Sequence, residues 1–114
     1  MIRVLVVRAD DNTIKMFDVV GHSGYDVHGR DIVCAAVSVT AFTAAGALEE
    51  LAGVAGSYSE GSGHMRIELK DDVETPKKLV AETIMNTAYI GFKQIEKSYS
   101  RYLFVEEKFN KDVK

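Results

Sequence analysis

Gly21-His22-Ser23-Gly24-Tyr25-Asp26-Val27-His28-Gly29-Arg30-Asp31-Ile32-Val33-Cys34-Ala35-Ala36 joins a glycine-rich loop to the start of an apolar helix. It holds the chain's one cysteine and two of its three histidines. The loop, Gly21 to Arg30, has no hydrophobic period, and a loop of that length in a small domain is often a binding segment or a lid. Asp31 is a natural N-cap, because its side chain can accept from an amide of the first turn. The helix is expected from Ile32 to about Ala52, with Gly53 just past its end. Val33, Val37, Ala41, Ala44, Leu48 and Leu51 recur at three- and four-residue steps and mark its apolar face.

Upstream, residues 2–9 alternate with apolar side chains on both faces, which suggests a well-covered strand. Asp10-Asp11-Asn12 is a turn signal. Residues 13–20 alternate again, so the first two strands form a hairpin. Downstream, a polar strand is expected over 54–60, a glycine turn over 61–63 and a strand over 64–70 with Met65, Ile67 and Leu69 inward. Thr75 then reads as an N-cap with Pro76 at the first helical position. That helix runs to about Ser98, with Val80, Ile84, Ala88, Gly91 and Ile95 on one face and Leu79, Thr83 and Phe92 beside it. Gly91 in mid-helix costs about 1 kcal/mol against alanine, so close packing accounts for it best. A last strand is expected over 101–106, and residues 107–114 form a charged, frayed tail.

The order ββα-ββα-β predicts an α+β fold, a two-layer sandwich with two helices packed on one face of a five-stranded sheet. The other sheet face is then solvated or buried in a dimer, with Met16, Tyr58 and the aromatic last strand as contributors. At 114 residues the chain reads as one domain, 1–114. No apolar run approaches the ~20 residues of a membrane span, and the apolar start at Met1–Val7 is too short for a secretory leader. One cysteine cannot form an internal disulfide, so a reducing cytoplasm is the expected setting. The net charge of −3 and pI of about 5.6 lack the basic excess of most nucleic-acid binders.

The chemistry-bearing residues are Cys34 and His22. With Asp31 as the cap, Cys34 falls at the third helical position. The first helical amides have no intrahelical partner and the helix dipole favours a negative charge there. A thiolate is stabilised at such a site, and the same amides can hold an oxyanion. His22 stands at a strand end, where an imidazole can take and return a proton. Asp31 cuts both ways: ionised, it repels a thiolate and competes for the amides; turned the other way, it orients His22 in a Cys-His-Asp set.

Other readings stay open. Cys34 among Ile32, Val33, Ala35 and Ala36 fits an inert core thiol, and His22 an ordinary loop histidine. His28 and His64 read as surface residues. His22, His28 and Cys34 lie at six-residue spacings, but a structural zinc site needs a fourth ligand and none is in sight. Gly21, Gly24 and Gly29 match neither common phosphate-loop pattern. Ser38, one turn beyond Cys34, suits packing or a bond back to the helix.

Gly21-His22 after the second strand, Ser23-Gly24-Tyr25 in the loop and Asp31-Ile32-Val33-Cys34-Ala35-Ala36-Val37-Ser38 together resemble the Prp family of ribosomal-processing cysteine proteases. The short length and the element order match as well, so the resemblance covers nearly the whole chain. It implies a small homodimer that removes the N-terminal extension of large-subunit ribosomal protein twenty-seven, cutting after a hydrophobic, Phe-containing sequence. It implies Cys34 as nucleophile and His22 as base, with Asp31 and Ser38 at supporting motif positions. Gly21, Ser23, Gly24, Tyr25 and Gly29 belong to the implied substrate loop. No cofactor, metal, membrane or direct nucleic-acid contact is expected. The competing function is a non-catalytic ribosome-associated binding module with a structural core cysteine.

Overall fold

The computed structural model describes residues 1–27, 30–54, 58–61, 63–70 and 73–112. The elements are β1 (Ile2–Arg8), β2 (Ile14–Val20), α1 (Ile32–Ala52), β3 (Tyr58–Gly61), β4 (His64–Glu68), α2 (Lys77–Ser98) and β5 (Leu103–Phe109), followed by a 3₁₀ turn at Asn110–Asp112. The five-stranded sheet has the order β3-β4-β2-β1-β5. β5 lies parallel to β1 and the other neighbours pair antiparallel. A parallel neighbour needs a crossover, and α2 carries the chain over the sheet from β4 to the far edge.

Register assigns the faces. Val4 opposes Val19 and Val105, and Val6 opposes Phe17, which opposes Ile67. These side chains point at the helices and are buried. α1 answers with Val33, Val37, Ala41, Ala44, Leu48 and Ala52, and α2 with Ala81, Met85, Ala88 and Phe92. Phe17 and Phe92 meet edge to face with ring centroids 5.2 Å apart, a contact worth about 0.5–1.5 kcal/mol beyond its buried area. The expected α+β two-layer architecture is present.

α1 has the expected bounds. Asp31 caps it, and Gly53 closes it at φ 66° while the Gly53 and Val54 amides bond to Leu48 O. Leu51, however, is exposed and Ala52 takes the inward place. The inward face of α2 also lies one residue from the expected one: Ala81 and Met85 are buried while Leu79 and Val80 are exposed. Both helices carry apolar residues outward as well, so hydrophobic spacing alone does not fix their rotation. Gly91 does mark close packing, since a Cβ there would stand 3.2 Å from Thr40 Cγ2 on α1.

Other expectations are corrected. Pro76, not Thr75, occupies the α2 cap position and makes no side-chain bond; the Glu74 and Pro76 carbonyls accept from Lys78 and Leu79 instead. Val54 is not in a strand, β3 covers Tyr58–Gly61, and 55–57 of the expected strand lie outside the described residues. β4 stops at Glu68, though Leu69 still donates to Lys15 O. β5 starts two residues late and runs to Phe109, so the tail is not frayed from 107. Glu107 accepts from Arg8 Nε at 3.0 Å and from Tyr89 Oη at 2.8 Å, which ties β5 to β1 and α2. Burial raises the Glu107 carboxyl, and the bonds from Tyr89 and Arg8 outweigh it and hold the group below its ordinary value.

Tyr58 opposes Ile67 and packs on Phe42, so it belongs to the helix side rather than the open face. The open face pairs Asp18 with both His64 and Arg66; Met16 is buried there and Phe104 exposed. α1 also departs from the expectation about membrane-span length: it is long and apolar enough to cross a bilayer by length and composition. Its Ser, Thr and Gly residues interrupt the apolar run without lowering its hydropathy far. In the fold, one of its faces is the centre of the core.

Candidate active site

The site forms where β2 ends and α1 begins, over the start of β4. Gly21 extends the β2–β4 ladder by one bond, its amide donating to Gly63 O at 2.9 Å. Its φ of 100° and the Met1 carbonyl oxygen 2.6 Å from any Cβ restrict the position to glycine. His22 follows, exposed, with Nε2 3.0 Å from where a Gly63 Cβ would lie. The imidazole therefore rests over a residue that must have no side chain. His22 makes no hydrogen bond among the described residues.

The next residue turns inward. Ser23, 4% exposed, is the buried polar residue of the described chain. Its Oγ donates to Asp31 Oδ2, accepts from the Tyr25 amide at 3.1 Å and lies 3.7 Å from Cys34 Sγ. Asp31 Oδ1 accepts from the Cys34 amide at 2.9 Å. Partial burial pushes the Asp31 carboxyl up, but the bonds led by those from Ser23 and the Cys34 amide outweigh it and hold it at about 2. Asp31 is thus ionised at neutral pH. It caps the helix and anchors Ser23; its hydrogen bonds do not go to His22.

That arrangement narrows the oxyanion expectation. The Cys34 amide is committed to Asp31 Oδ1 and the Ala35 amide to Asp31 O at 3.0 Å. Neither is free for a substrate carbonyl, which leaves Ile32 and Val33 as the helical amides to consider.

Val33 and Val37 anchor the helix start in the core, and Cys34 between them is partly exposed rather than an enclosed core thiol. Two adjoining clefts meet at it. One, about 280 Å³, is lined by Ile2, Val19, Val37 and Met65 with Glu60 and His64 at its rim; the other, about 440 Å³, by Gly24, Asp26, Asp31 and Ala35. His22, Cys34 and Ser38 border both. Tyr25 leaves the site and packs edge-on against Tyr99 and Tyr102, centroids 5.8 and 5.2 Å away. Gly29 and His28 lie outside the described residues. Among the described residues no three His, Cys, Asp or Glu side chains are grouped to hold a metal. The sequence pattern missed Gly63, whose proximity to His22 depends on strand pairing, and it placed Ser23 only in the loop.

The partly exposed Cys34 thiol at the helix start thus shares two clefts with His22, whose imidazole has no hydrogen-bond partner among the described residues. Residues 1–104 match the family described as cysteine protease Prp, and the chain belongs to that family and is a cysteine protease. The Bacillus subtilis (strain 168) ribosomal processing cysteine protease Prp is 28% identical over 107 residues, covering 92% of this chain and 96% of that protein. The fold is shared with Staphylococcus aureus Prp in complex with a covalently linked product peptide (TM-score 0.84, 24% identity, 95% of this chain and 100% of that one). It is shared also with SMU.848 from Streptococcus mutans (TM-score 0.78, 25% identity, 96% of each chain).

Proposed function

We propose that this protease removes the N-terminal extension of large-subunit ribosomal protein twenty-seven, with Cys34 as nucleophile and His22 as its base and acid. The observation that carries the assignment is that His22 and Cys34 border the same two clefts in a chain of the cysteine protease Prp family. The similarity to a ribosomal processing protease supports the substrate. In this mechanism His22 takes the thiol proton as sulfur adds to the scissile carbonyl. It returns that proton to the leaving amine as the C–N bond breaks, and water then hydrolyses the thioester. The apolar lining of the smaller cleft suits a hydrophobic residue next to the cut.

The active form is a homodimer in the cytoplasm. Its support is the outward surface of the two helices, where Val39, Phe42 and Ile90 are exposed beside an apolar groove of about 340 Å³ between α1 and α2. Exposed apolar side chains on helices that flank an apolar groove suit an interaction surface. The net charge of −3 favours a peptide over RNA as the recognised partner.

Incubation with the extended precursor and mass spectrometry of the products tests the assignment. Cys34→Ser and His22→Ala should each abolish trimming with the circular dichroism unchanged. Trimming at the wild-type rate by Cys34→Ser would remove Cys34 as the nucleophile. Sedimentation at micromolar concentration should give a dimer; a fully active monomer would remove the dimer from the proposal.

A further inference from the structure

The bonds around Ser23 fix which way its proton points. A serine hydroxyl has one proton and two lone pairs. Ionised Asp31 can only accept, so that proton goes to Oδ2. The Tyr25 amide donates to the oxygen at 3.1 Å, and the remaining lone pair faces Cys34 Sγ at 3.7 Å. Ser23 has no proton left to give a sulfur anion. For the Ser23–Cys34 contact to be a hydrogen bond, the thiol must be the donor.

We propose that Ser23, held by Asp31, keeps Cys34 protonated in the peptide-free enzyme and so acts as a positioning residue for the nucleophile. The inference rests on Cys34 being that nucleophile. It gives Asp31 a role apart from His22: it caps the helix and sets the direction of a Cys34–Ser23–Asp31 hydrogen-bond chain. The loop backbone belongs to the same device. Tyr25, packed against Tyr99 and Tyr102, fixes the amide that takes Ser23's other lone pair. Attack then requires the thiol proton to leave Ser23 for His22. Among the described residues, the ionisable groups lining the two clefts that the thiol borders are His22 and Asp26 from the loop, Asp31 at the cap, and Glu60 and His64 from the β3–β4 hairpin. α1 itself carries no charge from Ile32 to Leu48.

The experiment is alkylation of the single cysteine by iodoacetamide from about pH 5 to about pH 9, followed by intact mass. It compares the full-length protein with Ser23→Ala, Asp31→Asn and the double variant. In Asp31→Asn the amide nitrogen can donate to Ser23 Oγ and release the hydroxyl proton toward sulfur, which reverses the chain. The midpoint of the pH profile should fall by about one pH unit. Well below the midpoint the rate should rise about threefold, because a less basic thiolate is a weaker nucleophile and offsets part of the tenfold gain in thiolate. Ser23→Ala should lower the midpoint by less, since the Asp31 charge stays. In the Ser23→Ala background the effect of Asp31→Asn should shrink, because most of it acts through Ser23.

An Asp31→Asn shift of equal size with and without Ser23 would mean charge alone and would overturn the proposal. So would a midpoint at or above wild type in either single variant. Asparagine caps a helix as well as aspartate, and Ser23→Ala gives a second reading that leaves the cap in place. Alkylation needs no peptide cleavage. If Cys34→Ser still cleaved, the nucleophile assignment would fall while the midpoints continued to report on the hydrogen-bond chain.

Discussion

Gly63→Ala should separate the catalytic geometry from the stability of the fold. Gly63 has φ 65°, and a Cβ there would stand 3.0 Å from His22 Nε2. Alanine in that conformation costs about 1–2 kcal/mol, offset by about 0.4–1 kcal/mol from the lower entropy of its unfolded chain. The net loss is about 1 kcal/mol, which lowers Tm by roughly 4–8 °C in a domain near this size. The imidazole must also retreat by about 0.4 Å to restore an ordinary contact. A displacement of 1 Å can cost about a hundredfold in rate, so this one should lower kcat/KM about sixfold. Gly53→Ala is the control. Its φ is 66°, and its Cβ would meet only the tip of Lys77, which can swing away.

Both variants should melt a few degrees below wild type in circular dichroism. Only Gly63→Ala should lose activity on the extended ribosomal precursor, and alkylation of Cys34 should show its thiol intact in both. Full kcat/KM in Gly63→Ala at the same reduced Tm as Gly53→Ala would refute the argument. It would mean that His22 is not held for catalysis by its seat on the β4 start.

Three further outcomes are expected. The folded Asp31 carboxyl sits at about 2 against an unfolded value near 3.9. A depressed value stabilises the fold fully above about pH 4 and is lost as pH falls toward 2, so Asp31→Asn should flatten the acid limb of the wild-type Tm profile in that window; parallel profiles would count against it. Phe92→Ala removes the edge-to-face partner of Phe17 and should cost about 3–5 kcal/mol in urea unfolding, whereas a loss under about 1 kcal/mol would mean the core collapses around the gap. Glu107→Ala breaks the links to Arg8 and Tyr89 and should cost about 0.5–1 kcal/mol, since exposed pairs are weak; no change in Tm would show β5 holding its end without them.

β1, β2 and α1 were legible because their signals are local. β1 and β2 alternate at period two around a turn at Asp10-Asp11-Asn12. α1 has a capping aspartate at one end and a left-handed glycine at the other, and its bounds are Ile32–Ala52 as expected. The rotation of α2 was not legible. Leu79, Val80 and Ile90 are exposed while Ala81 and Met85 are buried, and a helix apolar on two sides has no single period to read. The tail from Glu107 reads as charged and loose, but strand pairing with β1 and the Arg8–Glu107–Tyr89 contacts order it. Composition does not encode those partners, because each lies far away in sequence.

The same division runs through the site. The residue types left His22 and Cys34 as one reading beside an inert thiol and a loop histidine, and the resemblance of their motif to the protease family made it the favoured one. What holds them was not visible. Gly63 reaches His22 only because β4 pairs with β2, and Ser23 looks like one more small polar residue in a glycine-rich loop. Its burial follows from alternation at the strand exit: His22 faces the clefts, so Ser23 must face the helix start, where Asp31 and Cys34 are waiting. Asp31 is the residue whose meaning changes most. Read alone it is an awkward negative charge beside a thiol. With both carboxylate oxygens engaged it fixes the helix start, and through Ser23 it fixes the proton on the sulfur, which is why its replacement should show in the titration of Cys34 as well as in the acid limb of the Tm profile.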